Sequence, residues 1–209
     1  MAADQAVAYA LTTVARVKAR IGITDTGFDT VLISYINAIT AYIESTCDTR
    51  FKRTTYTQEV YHIPQSGRRY LPLKHAPVVT LTALQYKAGM PSNPGWTDFL
   101  VDNYELLEDG KTGMMMFYTT IPHGINMVRA TYSAGYLIDF TNYGNETLHT
   151  LPYELTELAE RLVIKRFKKR DEEGKSQVAF GGGTTTWASF LDEDDKEILA
   201  GYTRSTQFV

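Results

Sequence analysis

The hydrophobic periodicity of this chain changes twice, and these two changes constrain its fold more than any other feature. Before Cys47, apolar residues recur at the three- and four-residue spacing of an amphipathic helix. From Phe51 onward they alternate as in half-buried strands, with frequent glycine and proline, and helical spacing returns after Leu151. We therefore predict an α+β fold with a small antiparallel helical core, a β-rich insertion and an extended C-terminal arm.

The same changes give the expected domain boundaries. Residues 1–51 and 145–175 are predicted to form the helical core, and residues 52–144 the β-rich insertion. Residues 176–209 then form the C-terminal arm. Within the insertion, short runs rich in Thr, Tyr and Val predict about six strands. These runs are residues 52–63, 69–75, 78–87, 99–107, 114–120 and 125–136.

One predicted helix, beginning near Gly27 or Phe28, has the cleanest apolar stripe in the chain. The polar residues Thr30, Asn37 and Glu44 fall on its opposite side. Large apolar side chains at this spacing are typical of a helix that faces the core of its own subunit. The residues predicted to face the core are Phe28, Leu32, Tyr35, Ile36, Ile39 and Ile43.

A further helix is predicted from Pro152, because proline is favoured in the first turn of a helix. Its apolar stripe runs from Leu155 to Phe167, but Arg166 and Arg170 project into that stripe, which suggests that the helix has left its own core by Arg166. The cations at its end either stabilise the helix dipole or form a positive collar when repeated around a ring. They are Lys165, Arg166, Lys168, Lys169 and Arg170.

The segment after Gly174 is flexible by composition, being rich in glycine and threonine, yet it carries several large aromatic residues. Aromatic side chains scattered in such a segment cannot form a core of their own. They either fold back onto the domain or dock into a partner, and we favour docking. Asp192 is predicted to cap a short terminal helix. The docking candidates are Phe180, Trp187, Phe190, Leu191, Ile198, Leu199, Tyr202 and Phe208.

Composition argues against several functional classes. A net charge of -3 over 209 residues is unlike that of a dedicated polyanion binder. The longest apolar runs are well short of the ~20 residues that span a membrane, and the N-terminus lacks the pattern of a secretory signal, so no membrane partner is expected. The single cysteine, Cys47, fits a reducing cytoplasm.

The sequence contains no recognisable motif for catalysis or for cofactor binding. The four histidines have no paired metal-ligand spacing, and Gly181–Gly183 lacks the lysine of a phosphate-binding loop. Nucleophile and dinucleotide-binding signatures are likewise missing from the sequence. We therefore expect a protein that is not an enzyme, with no catalytic residues, no cofactor and no metal site.

Five segments of the chain together carry the pattern of a known protein family. Residues 11–51, LTTVARVKARIGITDTGFDTVLISYINAITAYIESTCDTRF, contain a short helix, a turn and a long helix ending near CxxRF. The strands HAPVVTLTALQY and MVRATYSAGY follow, then LPYELTELAERLVIKRFKKRDEEG and finally LDEDDKEILAGYTR. Together these stretches resemble the head–tail connector (adaptor) proteins of long-tailed bacteriophages and related gene-transfer agents.

That resemblance implies a structural virion protein. Family members form a ring, here expected to contain about twelve copies, that attaches to the portal and joins the DNA-filled capsid to the tail. The implied partners are other copies of the chain, the portal, a stopper or tail-completion protein, and double-stranded DNA passing through the lumen. The resemblance places the protein in the virion neck after assembly in the host cytoplasm. It implies that the C-terminal arm binds the portal and that the basic helix end faces the portal or the DNA channel.

The residues alone leave two other classes of function open. Trp96, Trp187 and the tyrosines are compatible with a β-rich ligand- or carbohydrate-binding module, although such modules are usually all-β and the long apolar helix fits one poorly. The basic helix end is compatible with a nucleic-acid-binding protein. The net charge and the acidic residues 171–173 count against that alternative.

Overall fold

A computed structural model of the protein describes residues 6–64, 66–88, 95–170, 177–180, 183–186 and 191–203. The described residues fall into two compact units. A helical unit is formed by the residues before Arg50 together with those after Leu137, and a β unit by the residues from Arg50 to Leu137. The helices and the antiparallel sheets confirm the predicted α+β class.

The helical unit contains four helices in the part of the chain that is described. They are α1 (Val14–Ile21), α2 (Asp29–Cys47), α3 (Tyr153–Lys168) and α4 (Glu193–Tyr202). The hydroxyl of Thr13 accepts a bond from the backbone N–H of Arg16 at the start of α1 (3.4 Å), and Gly22 ends that helix in the left-handed region. Asp192 and Asp195 form a capping box at the start of α4, which explains why a helix begins at this acidic run.

The core of the helical unit is built on α2 and α3. Of the residues predicted to face it, Leu32, Ile36, Ile39 and Ile43 are at most 2% exposed, while Phe28 and Tyr35 are half-buried. The opposing side of this core comes from α3 and includes the buried residues Leu155, Leu158, Ala159, Leu162, Val163 and Phe167. Burial of this many large apolar side chains is the main contribution to the stability of the unit.

The β unit contains seven strands among its described residues. They are β1 (Thr54–Ile63), β2 (Tyr70–Pro72), β3 (Val78–Ala88), β4 (Gly95–Asp98), β5 (Tyr104–Leu106), β6 (Met114–Phe117) and β7 (Gly124–Ala134). One antiparallel sheet has the order β1-β7-β3-β4 and the other the order β2-β6-β5. Their apolar side chains form one cluster that includes Ile63, Leu73, Met115, Phe117, Val128 and Tyr132.

Gly110 shows why the chain needs glycine in the connection between β5 and β6. Its φ is +84°, a left-handed conformation that residues with side chains rarely adopt. A Cβ at this position would overlap the carbonyl oxygen of Val78, the first residue of β3. The absence of a side chain therefore lets the two backbone segments approach each other.

Two sequence predictions in this region differ from the structure. The predicted strand 99–107 is wrong for its first half, because Val101–Asn103 is a 3-10 turn in which the N–H of Asn103 donates to the carbonyl of Leu100 (2.9 Å). The sequence did not predict β4, a short edge strand that pairs with the end of β3. Apolar and β-branched composition does not distinguish a short exposed turn from a strand.

The segment predicted to be flexible contains a short antiparallel pair, β8 (Gln177–Phe180) and β9 (Gly183–Thr186). Threonine and valine, which occur in these two strands, favour β-structure.

Candidate interaction site at the end of helix α3

Helix α3 stays on the core of its unit to its last turn, so the interpretation that it leaves the core by Arg166 is wrong. Phe167 is 5% exposed and packs edge to face on Phe28, with 5.3 Å between ring centroids. The guanidinium carbon of Arg166 lies 4.9 Å from the ring centroid of Tyr35. That of Arg170 lies 4.2 Å from the centroid of Phe167. Arginine can continue an apolar stripe because its flat cation stacks on aromatic rings.

Lys165, predicted to face DNA or the portal, is instead engaged by helix α4. Its Nζ lies 2.8 Å from Asp192 Oδ2 and 2.7 Å from Asp195 Oδ2. Arg161 reaches the same acid, with 2.7 Å between its Nη2 and Asp195 Oδ1. Hydrogen bonding from Lys165 lowers the pKa of Asp192 to about 2. This group, which we call the α4 clamp (Arg161, Lys165, Asp192 and Asp195), fixes α4 onto α3.

The other predicted cations differ in how accessible they are. Arg166 and Lys168 are exposed, whereas Lys169 and Arg170 are half-buried. Lys168 makes no ion pair with any described residue. Among the cations at the end of α3, Arg166 and Arg170 therefore lie on aromatic rings, Lys165 belongs to the α4 clamp, and Lys168 is exposed to a partner.

Helix α4 of the C-terminal arm packs on the helical unit, which is one of the two alternatives the sequence left open. Leu199 is 3% exposed, and its carbonyl accepts a bond from the Cys47 thiol (3.7 Å). The side chain of Leu199 is therefore part of the core and is removed from the docking candidates. The hydroxyl of Tyr202 donates to Glu154.

The remaining docking candidates are placed as follows. Leu191, Ile198 and Tyr202 are half-buried. Phe180 ends β8, and only its backbone is described. Trp187, Phe190 and Phe208 lie outside the described residues.

A buried carboxylate, Glu160, joins α1 to α3 and was not predicted from the sequence. It is 4% exposed, and its Oε1 accepts bonds from Arg16 Nε (2.6 Å) and Thr12 Oγ1 (3.2 Å). Its Oε2 accepts from Arg20 Nη1 (3.0 Å). Arg16 also stacks on Tyr143, with 3.8 Å from the guanidinium carbon to the ring centroid. A buried charge of this kind is tolerated because it is paired and hydrogen-bonded.

A polar cluster in the core of the β unit was likewise not predicted. The Oε2 of Glu59 accepts hydroxyl bonds from Tyr61 and Tyr132, each 2.6 Å long. Burial raises the pKa of both tyrosines, as do their bonds to the Glu59 carboxylate. Burial opposes ionisation of Glu59, but the hydroxyl donors and the nearby Lys74 and His75 outweigh it and lower its pKa. The cluster thus keeps Glu59 ionised inside the sheet packing.

Trp96, one of the aromatic residues that suggested carbohydrate binding, is partly covered by side chains from β3 and β7. The guanidinium carbon of Arg129 lies 4.4 Å from the Trp96 ring centroid, and Lys87 Nζ lies 5.8 Å from it. Arg129 is itself held by Gln85 Oε1 (2.6 Å). A sugar stacking on that face of Trp96 would have to displace this arrangement.

The described residues contain no group of three or more His, Cys, Asp or Glu side chains arranged to hold a metal ion. Every helix in the described part of the chain is too short or too polar to cross a membrane.

Comparisons with known proteins agree with the sequence pattern. Residues 11–83, which cover α1, α2 and the chain as far as β3, match the family model for the phage gp6-like head-tail connector protein. No curated protein matches the chain.

Among solved structures, a chain from the neck of an empty gene transfer agent particle computed with C6 symmetry is 20% identical, with a TM-score of 0.53. The likeness covers 80% of this chain and 82% of that one. A chain from the virion of a native gene transfer agent particle is 19% identical over the same shares, with a TM-score of 0.44. The first likeness shows a shared fold. Together with the match over residues 11–83, it confirms that this chain resembles the head–tail connector proteins of phages and gene-transfer agents.

Proposed function

We propose that this protein is a structural subunit of a head-to-tail connector ring, which attaches to the portal and joins the DNA-filled capsid to the tail. The observation that carries the proposal is the family match over residues 11–83, because it covers the helix α2 on which the core of the helical unit is built. The shared fold with a chain from a gene transfer agent neck supports it. The role is mechanical and involves no catalysis.

The C-terminal arm is the segment we assign to the portal. The α4 clamp and buried Leu199 attach α4 to the helical unit, which gives the C-terminal arm a fixed attachment there. Aromatic side chains are frequent hot spots of protein interfaces. The proposed contacts are Phe180, Trp187, Phe190, Leu191, Ile198, Tyr202 and Phe208.

The basic end of α3 is assigned to the portal or to the DNA channel. Exposed Arg166 and Lys168, with Lys169 and Arg170 beside them, supply a moderate positive charge that each copy in a ring repeats. A channel must let DNA slide, and a small number of phosphate contacts per copy keeps binding weak and salt-sensitive. Lys165 contributes indirectly, by holding α4.

The proposed assembly is a closed ring of about twelve copies in the virion neck, assembled in the host cytoplasm. The related neck was computed with sixfold symmetry, and a ring with a multiple of six copies fits that symmetry. We assign the side of the ring away from the portal to a stopper or tail-completion protein.

A triple substitution, Trp187→Ala with Phe190→Ala and Phe208→Ala, tests the portal assignment. We expect capture by immobilised portal rings to weaken at least about tenfold, because interface aromatics carry much of the binding energy. The thermal unfolding midpoint should not change. Tyr70→Ala, which removes an aromatic side chain that is 50% exposed in the β unit, is the control and should bind normally. Undiminished capture of the triple variant would refute the assignment.

A further inference from the structure

The β unit presents a rigid apolar turn on its surface. Leu100 and Val101 are 71% and 76% exposed, the first and second residues of the turn that ends at Asn103. Contiguous exposed apolar surface is a feature of interaction sites. We call Leu100–Asn103 the apolar turn.

The apolar turn is held at both ends by the core of the β unit. On one side, the N–H of Phe99 donates to the carbonyl of Leu84 (3.0 Å), and the Phe99 ring lies 5.1 Å from that of Phe117. On the other side, the N–H of Tyr118 donates to the carbonyl of Asn103 (2.9 Å). A turn fixed in this way loses little conformational entropy when it binds.

Acidic side chains surround the apolar turn in the sequence and on the surface. Asp98 precedes it, Asp102 lies within it and Glu105 follows, and all three are exposed. A complementary partner surface should therefore be apolar at its centre and carry cations around that centre.

The helical unit has a groove with that character. Its volume is about 420 Å³, and it lies between the end of α1 and the second half of α3. Its lining contains two isoleucines and four cations and no acidic side chain, namely Arg20, Ile21, Arg161, Ile164, Lys165 and Lys168. We call it the basic groove.

The ion pairs in the basic groove leave its cations partly available. Two of the acids that engage Arg20, Arg161 and Lys165 are buried, and the other two are on the surface. The side chains of Glu160 and Asp195 are 6% and 0% exposed, and those of Glu157 and Asp192 are 59% and 51% exposed. The cationic side chains themselves are 39%, 32% and 32% exposed. The fourth cation, Lys168, has no described ion-pair partner. The groove therefore combines three paired cations, half of whose acids are buried, with one cation, Lys168, that has no counter-charge among the described residues.

We infer that the basic groove of one copy receives the apolar turn of a second copy. Leu100 and Val101 would contact Ile21 and Ile164, with Asp98 and Asp102 facing the surrounding cations. The two surfaces are different, so the contact is head-to-tail and can be repeated from copy to copy until a ring closes. The inference rests on the proposed connector role, which requires a ring, and it names the surfaces that build that ring.

Disulfide trapping between two single-cysteine variants tests the contact. Val101→Cys and Ile164→Cys are purified separately, one with a size tag, mixed under conditions of ring formation and oxidised. Native Cys47 is 0% exposed and stays in place. We expect a linked dimer of mixed size in the mixture and loss of that band when either variant is oxidised alone.

Ile125→Cys is the matched control for Val101→Cys, since Ile125 is 74% exposed in the same unit but belongs to β7. Mixed with Ile164→Cys, it should give no linked dimer. Equal linking by the control, linking of Val101→Cys to itself, or rings that form without any mixed dimer would overturn the inference. The inference would also be overturned if the unmodified protein stayed monomeric at every concentration, both alone and in the presence of the portal. Rings on the portal without the mixed dimer would leave the connector function standing, whereas failure to bind the portal would remove both.

Discussion

Ile39→Asp should unfold the helical unit. Ile39 is 2% exposed in the middle of α2, where it packs among the other buried residues of that helix and of α3. An aspartate there would bury a charge without a partner, and we expect a loss of more than about 4 kcal/mol in the free energy of unfolding. Circular dichroism with urea titration measures the loss.

Ala38→Asp is the matched control, because it places the same charge one residue earlier on the same helix at an exposed position. Its cost should be limited to helix propensity, about 0.7 kcal/mol or less. Equal destabilisation by the two variants would mean that α2 is not oriented with Ile39 toward the core.

Asp195→Ala should release α4 from the helical unit. Asp195 is fully buried. It forms ion pairs with Arg161 and Lys165, and it forms a capping box with Asp192. Removing one member of a buried ion pair costs several kcal/mol, and the partial exposure of the two cations reduces this to about 2–4 kcal/mol. Hydrogen exchange of the backbone N–H groups of residues 193–202 should accelerate accordingly.

The neighbouring Asp194→Ala provides the comparison for this prediction. Asp194 is exposed in the same helical turn, so its removal costs only its interaction with the helix dipole, about 0.3–1 kcal/mol. Similar exchange rates in both variants would show that the α4 clamp does not hold the helix.

The parts of the fold that could be predicted from the sequence are those encoded by local periodicity. The stripe containing Leu32, Ile36, Ile39 and Ile43 predicted α2 and its buried face. Asp192, placed before an acidic first turn, predicted the start of α4. The change to alternation at Phe51 predicted the β-rich insertion, because a strand and a helix cannot share one hydrophobic period.

The features that sequence could not predict depend on distant residues. Helical periodicity placed Arg166 on the apolar face of α3, but only the fold brings the Tyr35 ring beneath it. The local sequence does not distinguish Glu160 from other polar positions, because its partners Arg16 and Arg20 lie 140 residues or more away in the chain. Lys165 looked free for the same reason, since its acids lie 27 and 30 residues away.

The connector role is tested most directly by imaging the unmodified protein mixed with purified portal rings in the electron microscope. The proposed function predicts a second ring stacked coaxially on the portal, with a continuous central channel. It also predicts that each copy contributes its helical unit to that ring. A protein that remains monomeric and leaves the portal rings bare, at concentrations where it is folded, would contradict the assignment.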